Sequence, residues 1–309
     1  MVIKKSVLRA DEARENDDFS WIKELSREEL EAALDDLPQK PHFHTKPYNH
    51  QLASFILGYY CPELLVFLDP GLGKTWVCLN MVKYRKQLGE PHRTFVAVPF
   101  RAAVQSWVDE AALHTPDLSV CPLRDSDNVL QAITDGKHDV YVATYAAMAR
   151  LMCNVKGTPK GKWRIHEPTA RKVKEAIDFL SVDEIHNFAN KSSLYWRCAN
   201  RIAKDAQARI GLTGTPFGRD PQELWAQFYL MDRGETLGPT LGFFREVFYT
   251  SKRGFWGNTE YTFQRRKKKL LYNIIKHRSI LYEDKECGDV PQKLYITKHV
   301  QMPKSSLDI

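Results

Sequence analysis

The sequence predicts an α/β fold: a mainly parallel sheet with helices on both faces. Three observations carry this. Short apolar runs recur at Leu64–Leu68, Thr94–Val98, Val140–Thr144, Phe179–Val182 and Arg209–Leu212, each without a polar face. Strands of that kind belong in sheets covered on both sides. Helical stretches such as Thr75–Tyr84, Ala102–Leu113 and Leu194–Ala208 fill the gaps between them, the alternation that builds parallel sheets. A glycine-rich turn, Asp69–Thr75, joins the first run to the first of these helices.

Taken in order, the elements divide the chain into three parts. Residues 1–45 are charged, with one marked helix start. Ser26 and Glu29 have capping-box spacing, and Leu25 and Leu30 stand where a hydrophobic staple would. That helix is expected to run to about Leu37 and stop at Pro38, as a peripheral cap. Residues 46–240 carry the strand–helix alternation. A basic, glycine-punctuated loop over 156–164 precedes a helix at Thr169–Ile177. Residues 241–309 are aromatic and basic, with Phe243, Phe244, Phe248, Phe255 and Trp256, then Arg265–Lys269. The aromatics read as the core of a small appended region. Leu270–Leu281 has helical spacing, and the tail from Val290 alternates like a strand.

Composition narrows the class. Hydrophobic content of 43% with 11% aromatics supports a sizeable core and excludes global disorder. A net charge of +7 favours a polyanionic partner. Six scattered cysteines without a Cys-x-x-Cys pair argue against a zinc ribbon or a disulfide framework and suit a reducing compartment. No apolar run reaches membrane-spanning length, and Met1–Lys5 is not followed by a signal-type apolar core. The expectation is an intracellular protein with no membrane partner, cytoplasmic if prokaryotic or phage-encoded and nuclear if eukaryotic.

Chemistry enters at the turn. Gly71, Leu72 and Gly73 let several backbone N–H groups converge where the next helix adds its positive end. Lys74 supplies a full charge for β- and γ-phosphates, and the Thr75 hydroxyl suits a Mg²⁺ shell. Leu68 stands where the strict eight-residue phosphate loop has its first glycine. A second apolar strand ends in Asp183 and Glu184. Unpaired carboxylates are costly in a core, but at a strand's carboxyl end they face the same crevice as the turn. Asp183 can hold Mg²⁺ and Glu184 can activate a water, so the pair of motifs says nucleotide triphosphate hydrolase.

Further pieces fall in order. They are Lys46–Gln51; the Pro99, Phe100 and Arg101 turn with Gln105, Trp107 and Glu110 on its helix; Thr144-Tyr145; Val182–His186; and Leu212–Pro216 followed by Glu223-Leu224-Trp225. This set resembles the first RecA-like lobe of superfamily 2 helicases, specifically the Snf2-like double-stranded DNA translocases. The resemblance spans roughly residues 46–300, with Val182–His186 as a variant Asp-Glu-Ala-His box. It implies that Gln51 selects ATP, that Gly71, Leu72, Gly73, Lys74 and Thr75 grip its phosphates, and that Thr75 and Asp183 hold Mg²⁺. Glu184 would activate the water, and His186, Thr213 and Thr215 would relay nucleotide state to the DNA-facing surface. Pro99, Phe100, Arg101, Thr144 and Tyr145 would meet the DNA backbone, mainly through backbone N–H groups and hydroxyls. Phosphate contacts of that kind carry no sequence information.

The chain departs from the family pattern at Ile185, where Ala is usual, at Phe188–Asn190, and at Arg219. The family also uses a second RecA-like lobe whose arginines reach the γ-phosphate, and the chain has no room for one. The expectation is therefore a first lobe that hydrolyses ATP weakly, or not at all, until a second lobe joins it. Two alternatives stay open: a restriction or RNA-remodelling motor, and a DNA-binding or regulatory module without hydrolysis.

Overall fold

A computed structural model describes residues 19–123, 128–153, 164–216, 218, 220–253 and 259–291. Strands β1 (Glu63–Leu68), β2 (Thr94–Val98), β3 (Val120–Pro122), β4 (Val140–Thr144), β5 (Phe179–Asp183), β6 (Ala208–Thr213) and β9 (Ser279–Tyr282) form one sheet in the order β3-β4-β2-β5-β6-β1-β9. Every neighbouring pair is parallel. All carboxyl ends therefore lie along one edge, and the strands bearing the turn (β1) and the acids (β5) flank β6.

The apolar runs lack a polar face because both faces are covered. Leu65, Phe67, Phe95, Ala97, Leu180 and Val182 point into one core, whereas Leu64, Val66, Leu68, Val96, Val98 and Phe179 point into the other. This is the two-residue period of a strand expressed in two directions. Helix α3 (Lys74–Gln87) is buried on nearly every side, through Trp76, Val77, Leu79, Val82 and Tyr84. It packs beside α2 (Asn49–Tyr60) and α4 (Arg101–His114).

The N-terminal cap forms as the sequence implies. Ser26 Oγ accepts from Glu29 N at 3.3 Å, and Glu29 Oε2 accepts from Ser26 N at 2.9 Å. Helix α1 (Arg27–Asp35) ends two residues before Leu37, and Leu30, Ala33, Leu34 and Leu37 enter the second core.

Two expectations change, and two features are new. The helix expected over Leu194–Ala208 is α8 (Leu194–Ala203), since Ala208 already opens β6. The helical reading of Leu270–Leu281 breaks into α11 (Lys268–Ile275) and strand β9. Its second half pairs with β1, where Leu65 N donates to the Arg278 carbonyl at 2.9 Å. An exposed edge beside the phosphate turn is thereby satisfied, and backbone pairing overrides the local helical period. Strand β3 was too short to read. An antiparallel hairpin, β7 (Tyr249–Arg253) with β8 (Thr259–Phe263), was not expected.

Residues beyond 240 are not set apart either. Phe244 and Phe248 of α10 (Leu241–Phe248) and Leu271 of α11 share a core with Trp225 and Phe228 of α9 (Glu223–Asp232). Phe243 is exposed. The loop at 156–163, Arg219, Phe255, Trp256 and the tail beyond 291 lie outside the described residues.

Candidate nucleotide site at the carboxyl edge

Between β1 and α3 the chain turns through Gly71 (φ 89°) and Gly73 (φ 78°). Gly73 is the cap of α3 and is needed twice over. Its left-handed backbone suits glycine, and a Cβ there would stand 2.1 Å from Gln51 Nε2. The helix start has no side-chain cap, so its first N–H groups are directed to the turn. Lys74 Nζ lies over the same turn, donating to the Leu68 carbonyl at 2.8 Å.

Two residues brace the turn from behind. Buried His50 meets the Leu72 carbonyl at 2.7 Å. Gln51 donates to that carbonyl from Nε2 at 3.4 Å, and its Oε1 accepts from Tyr48 N at 3.0 Å. The glutamine is thus nearly enclosed, holding the turn to the start of α2. Beside it opens a polar cleft lined by Arg27, Lys46, Tyr48, Asn49 and Asp289. A different cavity, lined by Phe55, Tyr59, Met81 and Tyr84, lies between α2 and α3 without any of the acids or the turn in its wall.

The acids sit two strands away from β1. Asp183 Oδ2 accepts from Trp107 Nε1 at 3.0 Å, and Oδ1 accepts from Glu184 N at 3.1 Å. Burial pushes the Asp183 carboxyl above the usual range. The Trp107 indole pulls it back, Glu184 raises it again, and Lys74 lowers it. Glu184 has a left-handed backbone (φ 50°), a conformation that costs energy in a non-glycine residue and collects at functional sites. The Tyr145 hydroxyl fixes this corner, donating to the Asp183 carbonyl and, at 3.3 Å, to that of Glu184.

A polar chain runs from Glu184 to β6. Thr213 Oγ1 donates to Glu184 Oε2 at 3.0 Å. His186 Nδ1 lies 2.9 Å from Thr213 Oγ1 and 3.2 Å from Glu184 Oε2. Thr215 N donates to Thr213 Oγ1 at 3.1 Å. Between the two threonines, Gly214 presses on the phosphate turn: a Cβ there would stand 3.1 Å from both the Leu68 carbonyl and Pro70 Cδ. Turn, acids and threonines are therefore one contiguous wall.

A model of the SNF2-related domain family matches residues 48–306. The chain belongs to that family. Its relatives include the chromatin-remodeling ATPase INO80 of Pyricularia oryzae, 24% identical over 53% of this chain and 8% of the relative. Another is the ISWI chromatin-remodeling complex ATPase ISW1 of Saccharomyces cerevisiae, 21% identical over 64% of this chain and 17% of the relative. The Sulfolobus solfataricus SWI2/SNF2 ATPase core in complex with dsDNA is a structural match, with TM-score 0.61 and 19% identity, covering 82% of this chain and 49% of that one. The Sulfolobus solfataricus SWI2/SNF2 ATPase core domain matches with TM-score 0.58 and 18% identity, covering 82% of this chain and 47% of that one. The chain thus spans less than half the length of these relatives, and its fold is the RecA-like fold of that ATPase core.

Within this Snf2-like domain the predicted residues divide. Lys74, Thr75, Asp183, Glu184, His186, Thr213 and Thr215 share the carboxyl edge with the Gly71–Gly73 turn. Pro99, Phe100 and Arg101 stand at the start of α4, with the Phe100 ring 60% exposed. Thr144 ends β4, its hydroxyl accepting from Ala147 N at 3.1 Å. Tyr145 needs correction as a DNA-contacting side chain: it is buried and its hydroxyl is spent on the carbonyls beneath the acids. Its hydroxyl positions the acids. Sequence reasoning missed the roles of Trp107 and His50. Trp107 stands in the motif at the start of α4, but only folding shows that its indole reaches Asp183 from 76 residues away.

The residues present fit a magnesium nucleotide. Hard oxygen donors, the Thr75 hydroxyl and the Asp183 carboxylate, suit Mg²⁺, and the glycine turn with Lys74 suits phosphate.

Proposed function

We propose that this chain is the ATP-binding wall of a motor that hydrolyses ATP while moving along double-stranded DNA. The observation that carries the reading is the polar chain Glu184–Thr213–His186–Thr215. It ties the would-be water-activating carboxylate to a neighbouring strand whose glycine abuts the phosphate turn.

In this reading the turn and Lys74 bind the β- and γ-phosphates, and the adenine lies over the cleft beside Gln51. Thr75 and Asp183 hold Mg²⁺, which when bound neutralises charge on the phosphate oxygens. Glu184 orients a water and takes its proton, while His186 and Thr213 fix the carboxylate's direction. Trp107 and Tyr145 keep Asp183 and the Glu184 backbone in place. Loss or gain of the γ-phosphate shifts Glu184, and the threonine chain passes that shift to the edge where Phe100, Arg101 and Thr144 face the DNA backbone. Support comes from the structural neighbour, which is a complex with dsDNA.

A second lobe completes the cleft by bringing an arginine to the γ-phosphate, an effect worth roughly a thousandfold or more in turnover. The test is ATP turnover with duplex DNA, single strands or RNA, each with and without a separately supplied second lobe from a relative. Turnover that needs both lobe and duplex supports the reading. Steady duplex-stimulated turnover by the chain alone, abolished by Lys74→Ala, sinks the dependence on a second lobe. Stimulation by RNA alone sinks the assignment to DNA.

A further inference from the structure

The chain's positive charge is not spread over its surface. Residues 249–276 hold eight Lys and Arg against the single acid Glu260, a surplus equal to the net +7 of the whole protein, so the other 281 residues balance. This stretch contains the β7–β8 hairpin and the run that follows it. Thr250–Arg253 and Thr259–Thr262 are exposed on both faces of the ribbon. Two-stranded hairpins standing alone in water are marginal, so one held, among the described residues, mainly toward its base calls for an occupant.

The base is well held. Tyr249 and Phe263 pack edge to face at 5.5 Å, Gln264 Nε2 donates to the Tyr249 carbonyl at 3.0 Å, and Lys267 Nζ donates to the Val247 carbonyl. The Tyr249 hydroxyl bonds to Asp220, and Arg245 bonds to Gln222 at 2.9 Å while covering the Tyr261 ring at 4.3 Å. Asp220 and Gln222 lie five and seven residues after Thr215 in the chain. The hairpin base is therefore tied to a residue a few positions beyond the Thr213–Thr215 segment. Lys252, Arg253, Arg265, Arg266, Lys268 and Lys269 are all exposed, and none makes an ion pair among the described residues.

We infer that the β7–β8 hairpin and the adjoining Arg265–Lys269 run are a second phosphate-gripping surface for duplex DNA, separate from the Phe100–Arg101 and Thr144 track. The inference rests on the proposed reading that the partner is duplex DNA. Charge complementarity selects the occupant: six solvated cations, two on strand β7 and four on the run that follows β8, match a polyanion, and a two-stranded ribbon is of a size that the major groove admits. Contact there pulls on Asp220 and Gln222, and so on the segment that ends the polar chain from Glu184.

The test is binding of a fluorescent duplex to the full chain across a salt series. The variant Lys252→Gln/Arg253→Gln/Arg265→Gln/Arg266→Gln/Lys268→Gln/Lys269→Gln changes only exposed side chains. A control, Lys137→Gln/Arg171→Gln/Lys172→Gln/Lys204→Gln, neutralises exposed charges elsewhere. If at least two of the six cations touch phosphate, the log–log salt slope becomes shallower by about 2, and binding near 0.1 M salt weakens about tenfold or more. The control keeps the wild-type slope, and both variants keep the wild-type melting temperature. An unchanged slope in the hairpin variant, or an equal loss in the control, overturns the inference. So does a loss confined to RNA duplexes. If Phe100→Ala/Arg101→Ala weakens duplex binding while the hairpin variant does not, only this inference falls. If the wild-type chain binds no duplex, the proposed function falls with it.

Discussion

The two edges of the sheet handle charge in opposite ways. At the amino edge Asp139 and Glu63 meet cations or several donors. Asp139 accepts from Lys86 Nζ at 2.9 Å, from Ser119 N at 2.7 Å and from Ser119 Oγ at 2.9 Å, and His92 Nε2 lies 3.0 Å from its other oxygen. Burial pushes the Asp139 carboxyl up, but these bonds outweigh it and hold it at about 2. Arg209, at the start of β6, donates to the carbonyls of Met231, Ala203 and Ala206 and to Glu63 at 2.8 Å. At the carboxyl edge Asp183 meets an indole N–H and one backbone amide, and burial leaves its pKa raised. One edge spends its charges on holding the fold. The other leaves Asp183 with a raised pKa, two strands from the one that leads into the glycine turn.

The largest effect that would break this contrast lies in the chemistry. Glu184→Gln should cut turnover by about a hundred- to ten-thousandfold, measured with duplex DNA and a second lobe supplied, while leaving the melting temperature within a degree or two. A comparable rate in the variant would remove Glu184 from its role. Next in size, Asp139→Ala should destabilise the fold by about 2–3 kcal/mol at neutral pH without changing nucleotide binding, as urea unfolding and nucleotide titration would show. Because the folded pKa lies below that of the unfolded chain, this contribution is complete above the ordinary Asp value of about 4. It disappears as the pH falls toward about 2, so wild type and variant should converge there.

Lys74→Ala should weaken binding of a fluorescent ATP analogue about ten- to a hundredfold, the loss of a charge-assisted contact. Unchanged affinity would show that the turn alone carries the phosphate. A smaller effect concerns Ile185, which takes the place of the family's alanine. A Cβ on Gly211 would stand 2.4 Å from Ile185 Cδ1 and 2.6 Å from Leu65 Cδ2. Gly211→Ala should therefore cost about 1–2 kcal/mol, and Ile185→Ala should recover part of it in a double-mutant cycle. Strict additivity would contradict the packing.

The smallest effect has the opposite sign. The raised pKa of Asp183 means that the folded chain holds more proton than the unfolded chain above the ordinary Asp range, so stability falls as the pH rises through that window. Asp183→Asn should raise the melting temperature of the nucleotide-free protein at pH 7 by about 1–2 °C while destroying turnover. A lower melting temperature would place Asp183 with the structural charges of the other edge.

What the sequence disclosed follows from the same physics. Lys74-Thr75, Asp183-Glu184 and Thr213–Thr215 were legible because each packs its chemistry into a few consecutive residues at a strand end. The five apolar runs were legible because burial on both faces removes any polar face. Trp107 over Asp183 and Tyr145 beneath it were not, since each acts across dozens of residues and resembles ordinary core. Strand β9 was hidden by a helical period that backbone pairing overrode, and the hairpin by strands whose exposed faces carry no burial signal. The charge surplus of 249–276 was countable, but its anchorage to Asp220 and Gln222 was not.

Strand β9 also has a consequence for the order of events during synthesis. The phosphate-turn strand β1 is flanked by β6 and β9, both made long after it. Asp69 bonds locally to Leu72 N and Lys74 Nζ through its carbonyl, but its own N–H and carboxylate are met by the late residues Tyr282 and Asp284, at 3.3 Å and 2.9 Å. At ordinary elongation rates the ribosome needs roughly 10–40 s to travel from Leu68 to Ser279. Throughout that interval the nascent chain carries the turn without its outer neighbour. The candidate nucleotide site is thus among the last parts of the domain to be closed, although Lys74 is among the first quarter of the residues to be made.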